Sequence, residues 1–345
     1  MRIAVIGAGS VGRVLAGCLA DGGHAVTLVG RSARERPGRT ALELVGPGER
    51  RRTVEVERRD GAAGLPADLE AAILAVKRFD LEAATDVLRG LPGVPAVTVQ
   101  NGIGAEELVA GRRPGAGLIA ASLTTAVGLG PGGEALWLNR GGIGLARMEG
   151  EIDELVAALA GAFIAGGLRA AVYPDAAAMK WSKLLGNLVG NATSALLDLD
   201  VSAVYADPAL YAIERRQELE ALAVMAALRL RPVALPGADI PLLARAFRLP
   251  AALGRPVLAR ILGRARGGKM PSLRIALLRG PGPTEVTWLN GAVAAAAAWT
   301  GVEAPVNATL CRLVEEAATD PERRAWFRGR PDRLVSAVVG SLASG

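Results

Sequence analysis

Cysteine, histidine and aromatic side chains are scarce in this 345-residue chain, and each scarcity removes a class of function. Two cysteines, Cys18 in an early helical stretch and Cys311 near the other end, leave little from which to build a disulfide framework or a thiolate metal cluster. Reduced thiols in a cytoplasmic setting follow, and no metal is expected. The single histidine, His24, sits in a GGHAV turn leading into a strand, which suits a structural role. Aromatics make up 3% of the chain, too few to stack on bases, and the arginine excess behind the net charge of +6 reads as spread along the sequence. Runs such as GERRRTVEVERRD interleave both signs, as a solvated strand pair would. Nucleic acid is therefore not an expected partner. No run of about 18 apolar residues escapes glycine, proline or charge, so no membrane span is expected either. The opening MRIAVIGAGSVGRVLAGCLA has one early Arg before an apolar run, but its glycines and Arg13 interrupt a signal-peptide pattern.

What is present divides the chain in two. From residue 1 to 174, short β-branched runs (RIAVIG, HAVTLVG, AAILAV, PAVTVQ) alternate with amphipathic stretches, which predicts a parallel sheet with helices on both faces. LIAASLTTAV, EALWLNRG and IGLA read as antiparallel or edge strands completing that sheet. From 175 to 345 strand signals almost vanish and Ala/Leu-rich helical patterns run on, broken at LRPVALPGADIP, GRARGGKMPS and RGPGPTE. The expected fold is α/β, with an N-terminal doubly wound domain and an all-helical C-terminal domain.

GAGSVG places Gly7, Gly9 and Gly12 in a GxGxxG between a strand and a helix, with a second strand following, which is the context of a Rossmann dinucleotide loop. The first glycine permits the turn, the second lets a pyrophosphate approach the backbone, and the third lets the helix pack closely. Gly7, Gly9, Ser10, Val11 and Gly12 form the expected phosphate-binding set. The second strand ends LVGRSARER, with Arg31 where an NAD site usually offers an acid, and Arg34 nearby. Guanidinium groups there favour the 2′-phosphate of NADP, unless they are only solvated loop residues.

Ligands of an open parallel sheet bind beyond the carboxyl ends of its strands. AAILAVK delivers Lys77 to that edge and PAVTVQNG delivers Asn101, although a snorkelling lysine and an Asn-Gly turn are alternative readings. KWSKLLGNLVGN, read as one helix over 180–191, puts Lys183, Asn187 and Asn191 at i, i+4 and i+8 on one face, flanked by Gly186 and Gly190. Each mid-helix glycine costs about 1 kcal/mol relative to alanine, so the polar face suggests close approach by a ligand or another surface. With no suitable histidine, a lysine of lowered pKa could protonate the oxyanion left by hydride transfer, and Lys183 fits.

Taken together, MRIAVIGAGSVG, Arg31, AVK at 75–77, QNGIG at 100–104, WSKLLGNLVGNATSAL at 181–196, KMPS at 269–272, PTEVTWLNG at 283–291 and APVN at 304–307 resemble ketopantoate reductase, the NADP-dependent 2-dehydropantoate 2-reductase family. The resemblance implies a Rossmann domain, a helical domain and an active site in the cleft between them. It further implies that Lys183 is the catalytic lysine, that Asn187 and Asn191 bind substrate, and that Asn101 contacts substrate beside the nicotinamide. Lys77 would meet the cofactor and Ser272 the substrate, while Glu285 would complete the catalytic site near both. The implied cofactor is NADPH and the implied partner a small 2-keto acid, with ketopantoate first and another 2-keto acid or a non-catalytic NADP sensor as rivals. A homodimer is compatible with the sequence, which leaves the oligomeric state open. One departure stands out: Arg274 and Ile275 occupy the neighbourhood where the family usually carries an Asp a few residues after Ser272.

Overall fold

Alternation of two kinds of neighbour sets the strands of this protein. In β1 (Arg2–Ile6), Ile3 and Val5 enter one apolar cluster while Ala4 and Ile6 enter another, so successive side chains serve opposite faces of one sheet. The computed structural model describes residues 1–30, 37–61, 65–265 and 270–343. The chain forms two compact units, one of Met1–Gln100, Gly104–Lys180 and Leu235–Ala238, the other of Asn101–Ile103, Trp181–Ala234 and Asp239–Gly345.

The first unit continues with α1 (Ser10–Asp21), β2 (Ala25–Val29), β3 (Gly38–Gly46), β4 (Arg50–Arg59), β5 (Ala71–Leu74), α2 (Leu81–Asp86), β6 (Ala96–Thr98), α3 (Ala105–Arg112) and β7 (Leu118–Leu123). It closes with β8 (Val127–Leu129), β9 (Ala135–Trp137), β10 (Gly142–Arg147), α4 (Glu154–Ala165), β11 (Arg169–Val172) and the first residues of α5 (Ala176–Leu188). The eleven strands among the described residues join one sheet, ordered β11-β10-β7-β6-β5-β1-β2-β4-β3-β9-β8. From β7 to β4 every neighbouring pair is parallel. Val14, Leu15 and Leu19 of α1 and Leu159 and Phe163 of α4 cover one face; Leu81 of α2 and Val109 of α3 cover the other. Each such fully buried side chain contributes roughly 1.5–3 kcal/mol. Two details differ from the sequence reading. The LIAASL strand is β7, which extends the parallel run beside β6 rather than forming an edge. EALW is β9, which crosses to the far side of the sheet and pairs with β3.

The described residues of the second unit form helices and short turns: the rest of α5, then α6 (Asn191–Leu197), α7 (Val201–Ala206), α8 (Pro208–Ala227), α9 (Ile240–Arg248), α10 (Ala251–Ala265), α11 (Ser272–Leu278), α12 (Asn290–Thr300), α13 (Pro305–Thr319), α14 (Pro321–Phe327) and α15 (Pro331–Ala343). Several open on the expected signals. Asp207 accepts from the amides of Ala209 and Leu210 at the start of α8, and Asp320 caps α14 in the same way. The single helix expected over 180–191 is instead two. Gly190 adopts φ 58°, ψ 14°, ends the α5 segment and starts α6. A Cβ there would lie 2.8 Å from Val201 Cγ1, so the left-handed turn requires glycine twice over, for its angle and for its size. The Gly190 amide turns to Glu214 Oε2 at 2.6 Å.

Candidate active site

The chain crosses β1 between β2 and β5, and this reversal of strand order marks the crevice where α/β sheets take their ligands. The glycine loop sits there. Gly7 has φ 117°, and a Cβ on it would come within 2.6 Å of Ala75 O at the end of β5. Gly12 lies so close beneath the turn that a Cβ would stand 1.7 Å from Gly7 O. At Gly9 the space a Cβ would take is open, with nothing within 4 Å. Two glycines thus close the turn and the third leaves room for an approaching group, which is the cradle a pyrophosphate needs. Gly9 precedes α1, whose first turn holds no acid to offset the positive N-terminal end of the helix, and Ser10 and Val11 supply its opening residues. The Arg13 guanidinium donates to Ala8 O at 3.0 Å and steadies the loop.

Arg31 and Arg34 lie outside the described residues. The point from which Arg31 departs is nevertheless held. Arg58, 1% exposed, donates to Gly30 O at 2.8 Å and pairs with Asp60 at 2.9 Å, and Gly30 packs so tightly on Ala8 that a Cβ would fall 2.4 Å from the Ala8 methyl. The sequence reading missed both residues, since Arg58 sits in a run that looks solvated. His24 lies at the amino edge of the sheet, its Nδ1 3.0 Å from the Met1 amino group. Burial and that amino group hold its pKa below the usual histidine value.

Lys77 is exposed just beyond β5, at the loop edge expected for it. Past the end of β6 the Gln100 side chain spans to β5, donating to Leu74 O at 2.6 Å and Val76 O at 3.0 Å. Lys180 donates to the Gln100 carbonyl at 2.7 Å and pairs with Glu106 at 2.9 Å, with the two side chains 5% and 4% exposed. Thr98 Oγ1 donates to the same Glu106 oxygen at 2.7 Å. This buried cluster fixes the residue immediately before Asn101, and only the three-dimensional pairing reveals it.

In the second unit Asn187 Nδ2 donates to Asn101 Oδ1 at 3.2 Å, and both side chains are half-buried. Lys183, one turn earlier on α5, is half-buried too, while Leu184, Leu185 and Leu188 fill the core. Gly186 accommodates Ile240, whose Cδ1 would lie 3.3 Å from a Cβ, so its smallness serves packing. Asn191 is not on the Lys183 face of a continuous helix; it opens α6 and reaches α11. Its amide donates to Ser272 Oγ at 3.4 Å and its carbonyl oxygen accepts the Leu273 amide at 3.1 Å. Glu285 is 6% exposed at the entrance to the turn Val286–Trp288. Trp288 O accepts the Ile103 amide at 3.0 Å, and Gly102 comes so near that a Cβ would be 2.1 Å from that oxygen, so the Asn101–Ile103 loop and the Glu285 turn pack together. The departure at Arg274 has a partner: it binds Asp198 at 2.8 Å and Asp200 at 2.6 Å, anchoring α11 beside α6.

Known proteins resemble this chain in sequence and in fold. The family model described as Ketopantoate reductase PanE/ApbA matches residues 3–150, and its C-terminal counterpart matches residues 175–318. The 2-dehydropantoate 2-reductase of Halobacterium salinarum is 29% identical over 330 residues, covering 93% of this chain and all of the relative. That of Mesorhizobium japonicum is 31% identical over 255 residues, 67% of this chain and 78% of the relative. Among solved structures, a PanE/ApbA family ketopantoate reductase from Ralstonia eutropha superposes with a TM-score of 0.75 at 22% identity, covering 94% of this chain and 100% of that one. D-mandelate dehydrogenase in ternary complex with NADH and anilino(oxo)acetate gives 0.72 at 20% identity, covering 92% and 98%. Matched by family models along most of its length, the chain belongs to the ketopantoate reductase PanE/ApbA family.

Proposed function

We propose that this protein is an NADPH-dependent 2-dehydropantoate 2-reductase, which converts the C2 ketone of ketopantoate into the secondary alcohol of pantoate in pantothenate synthesis. The observation that carries the reading is the meeting of family and geometry: both family models match, and Asn101, Asn187, Asn191 and Ser272 fall into two hydrogen-bonded pairs, with Lys183 one turn before Asn187 on α5. Gly7, Gly9, Ser10, Val11 and Gly12 would hold the cofactor phosphates, Arg31 its 2′-phosphate, and Lys77, Asn101 and Glu285 its remaining contacts. When bound, NADPH supplies the hydride. Lys183, as an ammonium, polarises the ketone and donates the proton to its oxygen, so that hydride and proton together account for the two hydrogens gained. The amides of Asn101, Asn187 and Asn191 and the Ser272 hydroxyl offer both donors and acceptors, which suits a substrate carrying carboxylate, ketone and hydroxyl groups. Glu285 completes the set as an acceptor that orients its neighbours.

The fold is also that of a D-mandelate dehydrogenase, so substrate choice is the step to test. The assay is NADPH oxidation by purified protein with ketopantoate, pyruvate, 2-ketoisovalerate and no substrate. Fast, saturable turnover of ketopantoate alone is the expected result. Tight NADPH binding with turnover of a different keto acid would reassign the substrate, and binding with no turnover would make the protein a sensor.

A further inference from the structure

Helix α8 carries an inner stripe that its sequence, ERRQELE, does not advertise: Glu214, Gln217 and Glu220 are 0%, 0% and 4% exposed. At i, i+3 and i+6 they share one side of the helix. Glu214 accepts the Gly190 amide and the Thr193 hydroxyl, each at 2.6 Å, and the Tyr205 hydroxyl at 3.1 Å. Gln217 accepts from Asn290 Nδ2 at 2.9 Å, at the first residue of α12. Glu220 accepts the Val306 and Asn307 amides at 3.1 and 3.0 Å, at the opening of α13. Two carboxylates of one helix therefore cap two other helices from outside. That is needed at α6, which has no side-chain cap of its own because its N-cap residue is Gly190. Only one of those two capped helices carries a candidate substrate residue. The first residue of α6 is Asn191, which bonds Ser272 and the Leu273 amide, whereas α13 holds none of the residues assigned to the site.

We propose that Glu214 is a positioning residue for the substrate half of the site. Its carboxylate draws the Gly190 amide out of the α5 hydrogen-bonding pattern, so α6 starts afresh at Asn191 and the Asn191 amide is aimed at Ser272. A continuous helix would put Asn191 one turn further along the Asn187 face, away from α11. The inference rests on the keto acid reading above and adds to it a residue that touches neither substrate nor cofactor.

The test uses whichever 2-keto acid the wild-type protein reduces. Glu214→Ala is expected to raise KM for the keto acid by about tenfold or more, with KM for NADPH within about twofold, because displacement of a positioned group costs substrate interactions without touching the glycine loop. Glu214→Gln, which retains an acceptor for the Gly190 amide, is expected to recover most of that loss. Amide exchange at residues 190–193 should quicken in the Ala variant alone. Glu220→Gln, on the same stripe, is the control: it should lower Tm and leave KM for the keto acid within about twofold. If Glu214→Ala does not fold, Thr193→Val removes one bond to the same carboxylate and should still raise KM for the keto acid alone. Folded Glu214 or Thr193 variants with unchanged KM for the keto acid, or parallel rises for both substrates matched by Glu220→Gln, would overturn the proposal. Wild-type turnover and the variant-to-wild-type ratio fail separately. An inactive wild type defeats the functional reading and the positioning claim with it; an active wild type with an unchanged ratio defeats the positioning claim alone.

Discussion

Lys183 is the side chain whose removal should cost most. Half-buried on α5 one turn before Asn187, it is the group assigned to proton donation, so Lys183→Ala should lower kcat with ketopantoate by at least about a hundredfold. Turnover close to wild type would assign the proton to another group. Arg31→Ala should weaken NADPH far more than NADH, since only the former carries the 2′-phosphate a guanidinium grips; equal losses would remove that role. The two thiols offer a contrasting case. Cys18 and Cys311 are 0% and 8% exposed, and burial pushes both pKa values up to about 12. Thiolate is the reactive form, so the native protein should resist an aromatic disulfide reagent near pH 8 and yield two thiols per chain once unfolded. Rapid native labelling would show that these cysteines are not shut away.

At the scale of elements, the β1-α1-β2 unit was legible because each of its requirements is local: a β-branched strand, three glycines at fixed spacing, an amphipathic helix. Gly12→Ala is the sharpest test of that unit. Its methyl would meet the Gly7 carbonyl at 1.7 Å, so loop and helix must separate. Loss of NADPH binding with a fall in Tm is expected, and a variant that binds NADPH like the wild type would contradict the packing described. The helix over 180–191 was not legible in the same way. Its i, i+4, i+8 polar pattern reads as continuous, but Gly190 turns left-handed against Val201 and gives its amide to Glu214, partners 11 and 24 positions away that no local pattern records. The sequence reading put Asn191 on the Lys183 helix, whereas it opens α6.

Across the whole molecule, charge is distributed less evenly than composition suggests. Nine of the 40 Lys and Arg residues and none of the 34 Asp and Glu residues lie between Ile240 and Thr284, so this stretch alone exceeds the net charge of +6 and the remainder is slightly acidic. Ser272 lies within it. A cationic segment carrying a residue proposed to bind substrate raises the local concentration of anions, and both ketopantoate and NADPH are anionic. The expected outcome is a several-fold fall in kcat/KM for the keto acid between roughly 20 and 300 mM salt, with kcat little changed, since the Debye length shrinks over that range. A flat salt profile would show that the positive stretch plays no part in capture. Among the described residues no helix is long and apolar enough to cross a membrane.

The sequence by itself determined the alternating sheet, the glycine loop, the expected cofactor class and the family motifs, because all of these depend on neighbours a few residues apart and on the chemistry of single side chains. Tertiary structure alone decided that α5 stops before Asn191, that Lys180 and Glu106 brace the carbonyl before Asn101, and that Arg274 finds its acids on the loop after α6. Those outcomes rest on partners up to 80 residues apart, as for Lys180 and Gln100. A buried donor or acceptor must find a partner wherever the fold supplies one, and no local pattern records which distant side chain that will be.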